Sequence, residues 1–420
     1  MIAKAMRAKL TQVTDAPYHT ADLTIAMTHH VSHHQAGFDL SVHTTLPLSK
    51  GNIGIFGASG AGKSTLLRCM AGLIPAKPSD HHSVVMLGKE ISTQRVEQNP
   101  FVYQFQQGML FPHLSVQQNL TLVANQPNVY KPLPYSLDQV VAWCQIETLL
   151  TKNATVLSGG EAQRVAFART LLSGKPIMLL DEPFSALDWH SRQHYLALIR
   201  WLSTQYRLRF ILVSHILQDL AACTQSTLQL DAGALVRLDD TAEIVRTLSM
   251  HRSASHTQGT GDKSVIKYDA FSVLHGRVKQ HLPQYGLTEV QLMAPSQQSL
   301  FIHTQEFAHG VDVAEEAIVE EAIVEEAMVE ETVAKKVMAK DIIIVQLPAN
   351  KVSLAKQAPN TSSILNCLTG VITSIELDAH HATVQVNVDQ QAVLAEISLM
   401  SAESLALSVG DIIYLQFKAI

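Results

Sequence analysis

Apolar positions follow three different rhythms along this chain. Residues 1–50 carry two alternating, strand-like pieces, Ala21-Asp-Leu-Thr-Ile-Ala-Met27 and Gly37-Phe-Asp-Leu-Ser-Val42, broken by polar segments. Short continuous apolar runs follow at Asn52-Ile-Gly-Ile-Phe56, Pro176-Ile-Met-Leu-Leu180 and Arg209-Phe-Ile-Leu-Val213. Runs of that length suit parallel strands covered on both faces. Between residues 115 and 150 the period becomes helical, with Val140, Val141, Trp143, Cys144, Ile146 and Leu149 forming one broad apolar face. Strands alternating with helices predict an α/β domain with a mostly parallel sheet.

Beyond residue 240 the rhythm changes. A Ser-, Thr- and Gly-rich stretch at 250–264 reads as linker. Alternating segments then start at Leu287, Ser299 and Asp341, and again at Val371, Ala382, Ala392 and Asp411, which predicts a small all-β barrel. The division expected is 1–245 for the α/β domain with a helical subdomain at about 108–165, 246–264 for the linker, 265–358 for a β-rich accessory region, and 359–420 for the barrel. An acidic insert at 312–336 interrupts the accessory region: Glu-Glu-Ala-Ile-Val begins at Glu315 and Glu320, and Glu-Glu-Ala-Met-Val at Glu325. Five residues turn a helix by about 500° and flip the face of a strand, so neither form gathers one apolar stripe. The insert reads as a loop expansion, with a partner-binding acidic helix as the alternative.

Composition narrows the function classes. At 420 residues, 47% hydrophobic and 16% charged, the chain is an ordinary globular protein of two or three domains. Its net charge of −6, without a basic run, argues against nucleic acid as a partner. Cys69, Cys144, Cys223 and Cys367 stand far apart with no C-x-x-C pair, as expected of a reduced compartment. No run reaches the ~20 apolar residues of a membrane helix, so any membrane role is expected to run through a partner, on the cytoplasmic side.

Chemistry concentrates at the ends of the apolar runs. Gly57-Ala58-Ser59-Gly60-Ala61-Gly62-Lys63-Ser64-Thr65 follows the first run and satisfies G-x-x-x-x-G-K-[ST]. Glycines let backbone N–H groups wrap phosphate oxygens, and the helix that follows adds its free N–H groups. Lys63 would reach the β- and γ-phosphates, and the Ser64 hydroxyl would hold Mg²⁺. Gln106, closing an apolar strand, is a candidate for metal or attacking water. The second run ends in Asp181 and Glu182: Asp181 would hold Mg²⁺ directly or through water, and Glu182 would polarise the attacking water. The third ends at Ser214-His215, where His215 could bond a γ-phosphate. Leu157-Ser158-Gly159-Gly160-Glu161 reads either as a capping box or as a second phosphate-binding helix start. One nucleotide does not need two such helices in one chain, but two copies meeting head to tail would use both. His29, His30, His33 and His34 form a cluster whose plainer reading is a solvated histidine-rich turn, with metal binding or adenine stacking by His33 or His34 as alternatives.

These motifs occur in one order, completed by Ser185-Ala-Leu-Asp188, and over about residues 20–240 the set resembles the ATP-binding subunits of ABC transporters. The resemblance implies a P-loop NTPase fold, ATP and Mg²⁺ as ligands, and a homodimer. Each ATP would lie between the phosphate loop of one subunit and Ser158, Gly159 and Gly160 of the other, with Asp188 also at the nucleotide site. The segment after Gln106, with Phe111-Pro-His-Leu, would carry the closing motion to a membrane permease. The carboxyl-terminal part, through Val352-Ser-Leu354 and the stretch 361–371, is similar to the oligonucleotide-fold-like barrel (the Mop or TOBE type) attached to the ATPase of molybdate importers. That likeness implies a peripheral subunit at the bacterial inner membrane, importing molybdate or tungstate received from a periplasmic binding protein. The alternatives are an importer of sulfate, sugar or polyamine, and an ATP-gated switch outside transport. Where that family often has an arginine this chain has Leu365, so Ser363 and Asn366 remain bare candidates for oxyanion contact.

Overall fold

The computed structural model describes residues 18, 20–31, 38–94, 98–127, 130, 133–250, 270–293, 298–304, 342–359, 362–378 and 380–420. The acidic insert, residues 251–264 of the expected linker, and His33 and His34 lie outside these. The chain divides into two compact units, one running to Thr241 and the other from Ala242 onward.

The first unit opens with an antiparallel pair, β1 (Leu23–Val31) and β2 (Phe38–Leu46), and continues with β3 (Ile53–Phe56) and α1 (Lys63–Met70). Next come β4 (His81–Met86), β5 (Lys89–Glu90), β6 (Phe101–Gln104) and three helices, α2 (Val116–Ala124), α3 (Leu137–Trp143) and α4 (Gly159–Leu172). The unit closes with β7 (Ile177–Asp181), α5 (Trp189–Gln205), β8 (Arg209–Val213), α6 (Leu217–Cys223), β9 (Ser226–Asp231) and β10 (Ala234–Asp240).

All ten strands join one sheet in the order β5-β4-β1-β2-β10-β9-β3-β8-β7-β6. The half from β9 to β6 is parallel. Its strands are buried on both faces, as their unbroken apolar runs predict: every residue of β3 and β7 is buried. Register then decides the site. Ile55 pairs with Val213, Asp181 also pairs with Val213, and Gln104 pairs with Leu180. The residues that follow these strands therefore emerge side by side at the carboxyl edge of the sheet.

Helices α2, α3 and α4 each begin with a serine whose side chain accepts from the backbone three residues on, while the Gln or Glu there reaches back. Each such box contributes about 0.5–2 kcal/mol to its helix start. The α3 face settles into an aromatic cluster of Tyr135, Trp143, Trp201 and Tyr206, with ring centroids 5.0–5.5 Å apart.

Two expectations are corrected in this unit. His29 and His30 belong to β1 and not to a turn: His29 is buried, and both pair with β2 through Leu40 and Asp39. Alternation of Leu23, Ile25 and Met27 simply continues to His29, whose ring takes the next inward position. Strand β6 ends at Gln104, two residues short of Gln106.

The second unit begins within α7 (Thr241–Met250), at Ala242, so residues 246–250 are helix where a linker is expected; Met250 is held in a small cluster with Ala270, Ala349 and Leu394. Then follow β11 (Phe271–Leu282), β12 (Leu287–Leu292), β13 (Ser299–His303), β14 (Ile342–Pro348), β15 (Ser353–Ala355), β16 (Asn366–Leu377), β17 (His381–Val388), β18 (Gln391–Ser398), α8 (Leu399–Ser404) and β19 (Ile412–Phe417). They form sheets β13-β12-β11-β14 and β15-β19-β16-β17-β18. One apolar cluster runs from Leu274 and Val290 of the first sheet to Val384 and Leu415 of the second. The accessory region and the barrel, expected as separate domains, thus share one core, because each sheet has a single apolar face to cover. Strand β11 is absent from the expected segments; its polar second half hides the alternation at its start.

Candidate functional site

The turn after β3 carries the phosphate loop. Gly57 approaches Leu230 so closely that an added Cβ would lie 2.3 Å from its carbonyl oxygen. Gly62 adopts φ 92°, a conformation L-residues avoid, immediately before α1 begins at Lys63. The loop is thereby shaped by two glycines for reasons a side chain could not meet. Lys63 is buried and its ammonium donates to the Gly57 and Ala58 carbonyls at 2.9 and 2.8 Å, closing the loop on itself. Burial lowers its pKa, against the opposing pull of Glu182 and Asp181. A buried ammonium that leans on neutral carbonyls is poised to take an anion.

Strand β7 delivers the two acids differently. Asp181 is buried, and both its oxygens are engaged: Oδ1 accepts from the Ser64 hydroxyl at 2.8 Å and Oδ2 from the Tyr103 hydroxyl at 2.7 Å. Arg68 donates to that Tyr103 oxygen at 3.3 Å. Tyr103 is a site residue that the sequence does not reveal; in an apolar strand its hydroxyl carries no signal until β6 pairs with β7. Glu182 sits at φ 46° and bonds Val213 through its backbone N–H. A non-glycine residue in that region is strained, and such strain gathers at working sites. Its carboxylate accepts from the Gln106 amide at 3.0 Å and lies 3.4 Å from Nδ1 of His215. Glu182, Gln106 and His215 therefore meet around one oxygen.

The set formed by the Ser64 hydroxyl, the Asp181 carboxylate and the Gln106 amide consists of hard oxygen donors, the kind Mg²⁺ takes. These residues fit the ion, and Ser64 and Asp181 already touch.

The Leu157–Glu161 stretch forms a capping box: Ser158 Oγ accepts from the Glu161 N–H at 3.2 Å and Glu161 accepts from the Ser158 N–H at 2.8 Å. Lys152 donates to Glu161 at 2.9 Å, and these partners hold the carboxyl down at about 2. Ser158 and Gly159 stay exposed at the helix start. A Cβ on Gly160 would stand 3.1 Å from the Ala186 carbonyl oxygen, so this glycine also serves close packing within the chain. Gln163 lies in the stretch Leu157–Arg164, where the sequence gives it no role of its own, and it clasps that packing. It donates to the Gln106 carbonyl at 3.3 Å and the Ser185 hydroxyl at 3.1 Å, and accepts from Ala186 N–H at 2.9 Å. Asp188 caps α5, accepting from Ser191 N–H at 3.0 Å. Ser158, Gly159, Gly160 and Asp188 thus line a surface flanking the cluster; among the described residues of this chain no contact joins them to Lys63 or Ser64.

In the second unit, Asn366 is buried and fully used. It accepts from Phe301 N–H at 2.6 Å and donates to the Phe301 and Lys418 carbonyls at 3.0 and 3.3 Å. The side chain is a clasp between strands, which removes it from oxyanion contact.

The ABC transporter family model matches residues 43–185, and the TOBE domain model matches 362–419. The chain is 31% identical to the molybdenum import ATP-binding protein ModC of Aromatoleum aromaticum over 91% of its length and 90% of that protein. It is 29% identical to the ModC of Methylococcus capsulatus, covering 91% and 95% of the two. A solved dimeric ATP-binding cassette in a post-hydrolysis state with ADP and Pi overlays 52% of this chain and 98% of its own, at 22% identity and a TM-score of 0.45.

Proposed function

The chain belongs to the molybdenum import ATP-binding family of ABC transporters, and we propose that it hydrolyses ATP to drive molybdate, and the similarly shaped tungstate, through a membrane permease. The observation that carries this reading is the meeting of Lys63, Ser64, Asp181, Gln106, Glu182 and His215 at one sheet edge. Four parallel strands in register, β3, β8, β7 and β6, put them there.

The roles follow from position. The loop N–H groups and Lys63 bind the polyphosphate, the ammonium leaving the Gly57 and Ala58 carbonyls for phosphate oxygens. Ser64, Asp181 and Gln106 would hold Mg²⁺, which would supply charge neutralisation for the polyphosphate. Glu182 accepts a hydrogen bond from the attacking water, and Gln106 and His215 orient its carboxylate. Tyr103 holds Asp181 in place from the far oxygen.

Ser158 and Gly159 are exposed at the start of α4, and the helix N-terminus they form supports a head-to-tail homodimer in which they close the partner's nucleotide site. Beyond Gln106, Met109 and Phe111 are exposed apolar side chains, Arg169 lies 5.7 Å from the Phe111 ring, and this segment suits a permease helix. Among the described residues no helix is long and apolar enough to cross a membrane, which fits a peripheral subunit on the cytoplasmic face of the inner membrane. A periplasmic binding protein would act on the far side of the permease.

The test is ATP hydrolysis in proteoliposomes holding this subunit, its neighbouring permease and the binding protein. Molybdate and tungstate should stimulate turnover and sulfate should not; stimulation by sulfate alone would remove the assigned cargo.

A further inference from the structure

Away from the nucleotide edge, three soft donors converge where α1 packs on the antiparallel half of the sheet. His29 lies two residues beyond Met27 in β1 and so points to the same face; His82 of β4 pairs with Met27. The two imidazoles are therefore diagonal neighbours across the strands, with ring centroids 5.1 Å apart. Cys69, in the last turn of α1, comes down on them. One donor atom from each of His29, Cys69 and His82 lies within 4.8 Å of the others.

Two details point to a ligand. First, the His82 Nε2 is buried and lacks a hydrogen-bond partner, although its ring is bonded to the Ile74 backbone. An orphaned buried nitrogen costs about 1–3 kcal/mol and calls for a bound species. Second, Nδ1 of His29 is held at 2.8 Å by Asp80, whose side chain is 1% exposed. Asp80 is fixed in turn by the backbone N–H groups of Lys77 and His30. A carboxylate behind an imidazole sets the tautomer and leaves Nε2 as the free ligand, the arrangement found behind metal-binding histidines.

We propose that Nε2 of His29, Nε2 of His82 and Sγ of Cys69 form a binding site for a thiophilic divalent cation of the Zn²⁺ type. Two imidazoles and a thiolate suit Zn²⁺ and disfavour Mg²⁺, which takes oxygen, so the site is chemically separate from the nucleotide's own ion. Bond lengths of about 2.0–2.3 Å need donors roughly 3.5 Å apart, so the side chains draw in by about 1 Å on binding. The thiol proton leaves to solvent, and a water completes the fourth position. Occupancy ties the end of α1 to β1 and β4. Because α1 begins at Lys63, the cation stiffens the helix that carries the phosphate loop.

The test uses the full chain, reduced and freed of metal, titrated with Co²⁺ as a coloured substitute for Zn²⁺. The expected result is a saturable thiolate-to-cobalt charge-transfer band at one equivalent per chain, displaced by Zn²⁺. C69A should abolish the band, and H82Q should weaken Co²⁺ binding by about tenfold or more, with circular dichroism and ATP binding retained in both. H33N/H34N should leave the band unchanged, which separates this site from adventitious binding by the neighbouring histidines. Zn²⁺ should also raise the melting temperature of the parent chain and not that of H82Q. No charge-transfer band in the parent chain, or a band that survives both C69A and H82Q, would overturn the proposal. Should C69A fail to fold, H82Q decides alone: unchanged Co²⁺ affinity overturns the site, and weakened affinity supports it.

Discussion

Replacing Glu182 by Gln changes the chemistry at the centre of the site and almost nothing else. The amide is isosteric, and its carbonyl oxygen can still accept from Gln106, which now donates to the carboxylate at 3.0 Å. The strained backbone at φ 46° is untouched. What disappears is the carboxylate proposed as the base. General bases contribute about 10²–10⁴-fold, so the barrier should rise by about 2.7–5.4 kcal/mol, at 1.36 kcal/mol per decade. Binding should move the other way. Glu182 is the largest charge partner of buried Lys63, and its carboxylate also repels a polyphosphate. Neutralising it should leave ATP affinity equal or tighter. Single-turnover hydrolysis and an equilibrium ATP titration on the same preparation measure the two effects. His215 adds a second check, since its Nδ1 lies 3.4 Å from the same oxygen. If it acts through Glu182, H215A should cost little more in the E182Q background than E182Q alone, while costing clearly in the parent. Turnover of E182Q within about tenfold of the parent, or fully additive losses, would refute this assignment.

Other outcomes follow from the same geometry. Lys63→Ala should raise the ATP dissociation constant at least about tenfold, about 1.4 kcal/mol, read by nucleotide titration; unchanged affinity would remove the phosphate role. Asn366→Ala deletes three hydrogen bonds and orphans Phe301 and Lys418 backbone groups, which should cost about 2–4 kcal/mol in denaturant unfolding of the second unit without altering ATP binding. Glu161 has its carboxyl lowered from 4.5 to about 2, chiefly by Lys152 and the Ser158 N–H. Its contribution is therefore complete above 4.5 and is lost as pH falls from there through about 2. Glu161→Gln should flatten the acid limb of a melting-temperature profile and leave the neutral limb parallel to the parent's.

Much of the nucleotide edge is legible in the order of residues alone. At Gly62 the pattern needs only local backbone physics, a φ of 92° that a Cβ would strain, whereas the demand met by Gly57 comes from the distant Leu230 carbonyl. Continuous apolar runs announce β3, β7 and β8, and acids or a histidine placed directly after such runs sit where parallel strands end. Capping residues at Ser115, Ser136 and Ser158 likewise act within three positions of chain.

Elsewhere the decision lies with partners far away in sequence. Tyr103 reads as one more strand residue until register sets its hydroxyl 2.7 Å from Asp181, 78 positions on. Asn366 looks free for an anion in the sequence, and only strand pairing shows its amide spent on Phe301 and Lys418. The histidine stretch reads as a turn, yet alternation carries on past Met27: His29 turns inward as any strand residue at that parity must. Its ring is buried only because β4 and α1 cover that face. The separation of accessory region from barrel fails for a related reason. A sequence displays that each strand has an apolar side, but not which other side it will meet. Local rules thus determine the turn at Gly62 into α1, the caps and most strands of the first unit. Long-range pairing and packing decide which polar side chains are free, which are clasped, and which three soft donors meet under α1, because those depend on distances no stretch of sequence contains.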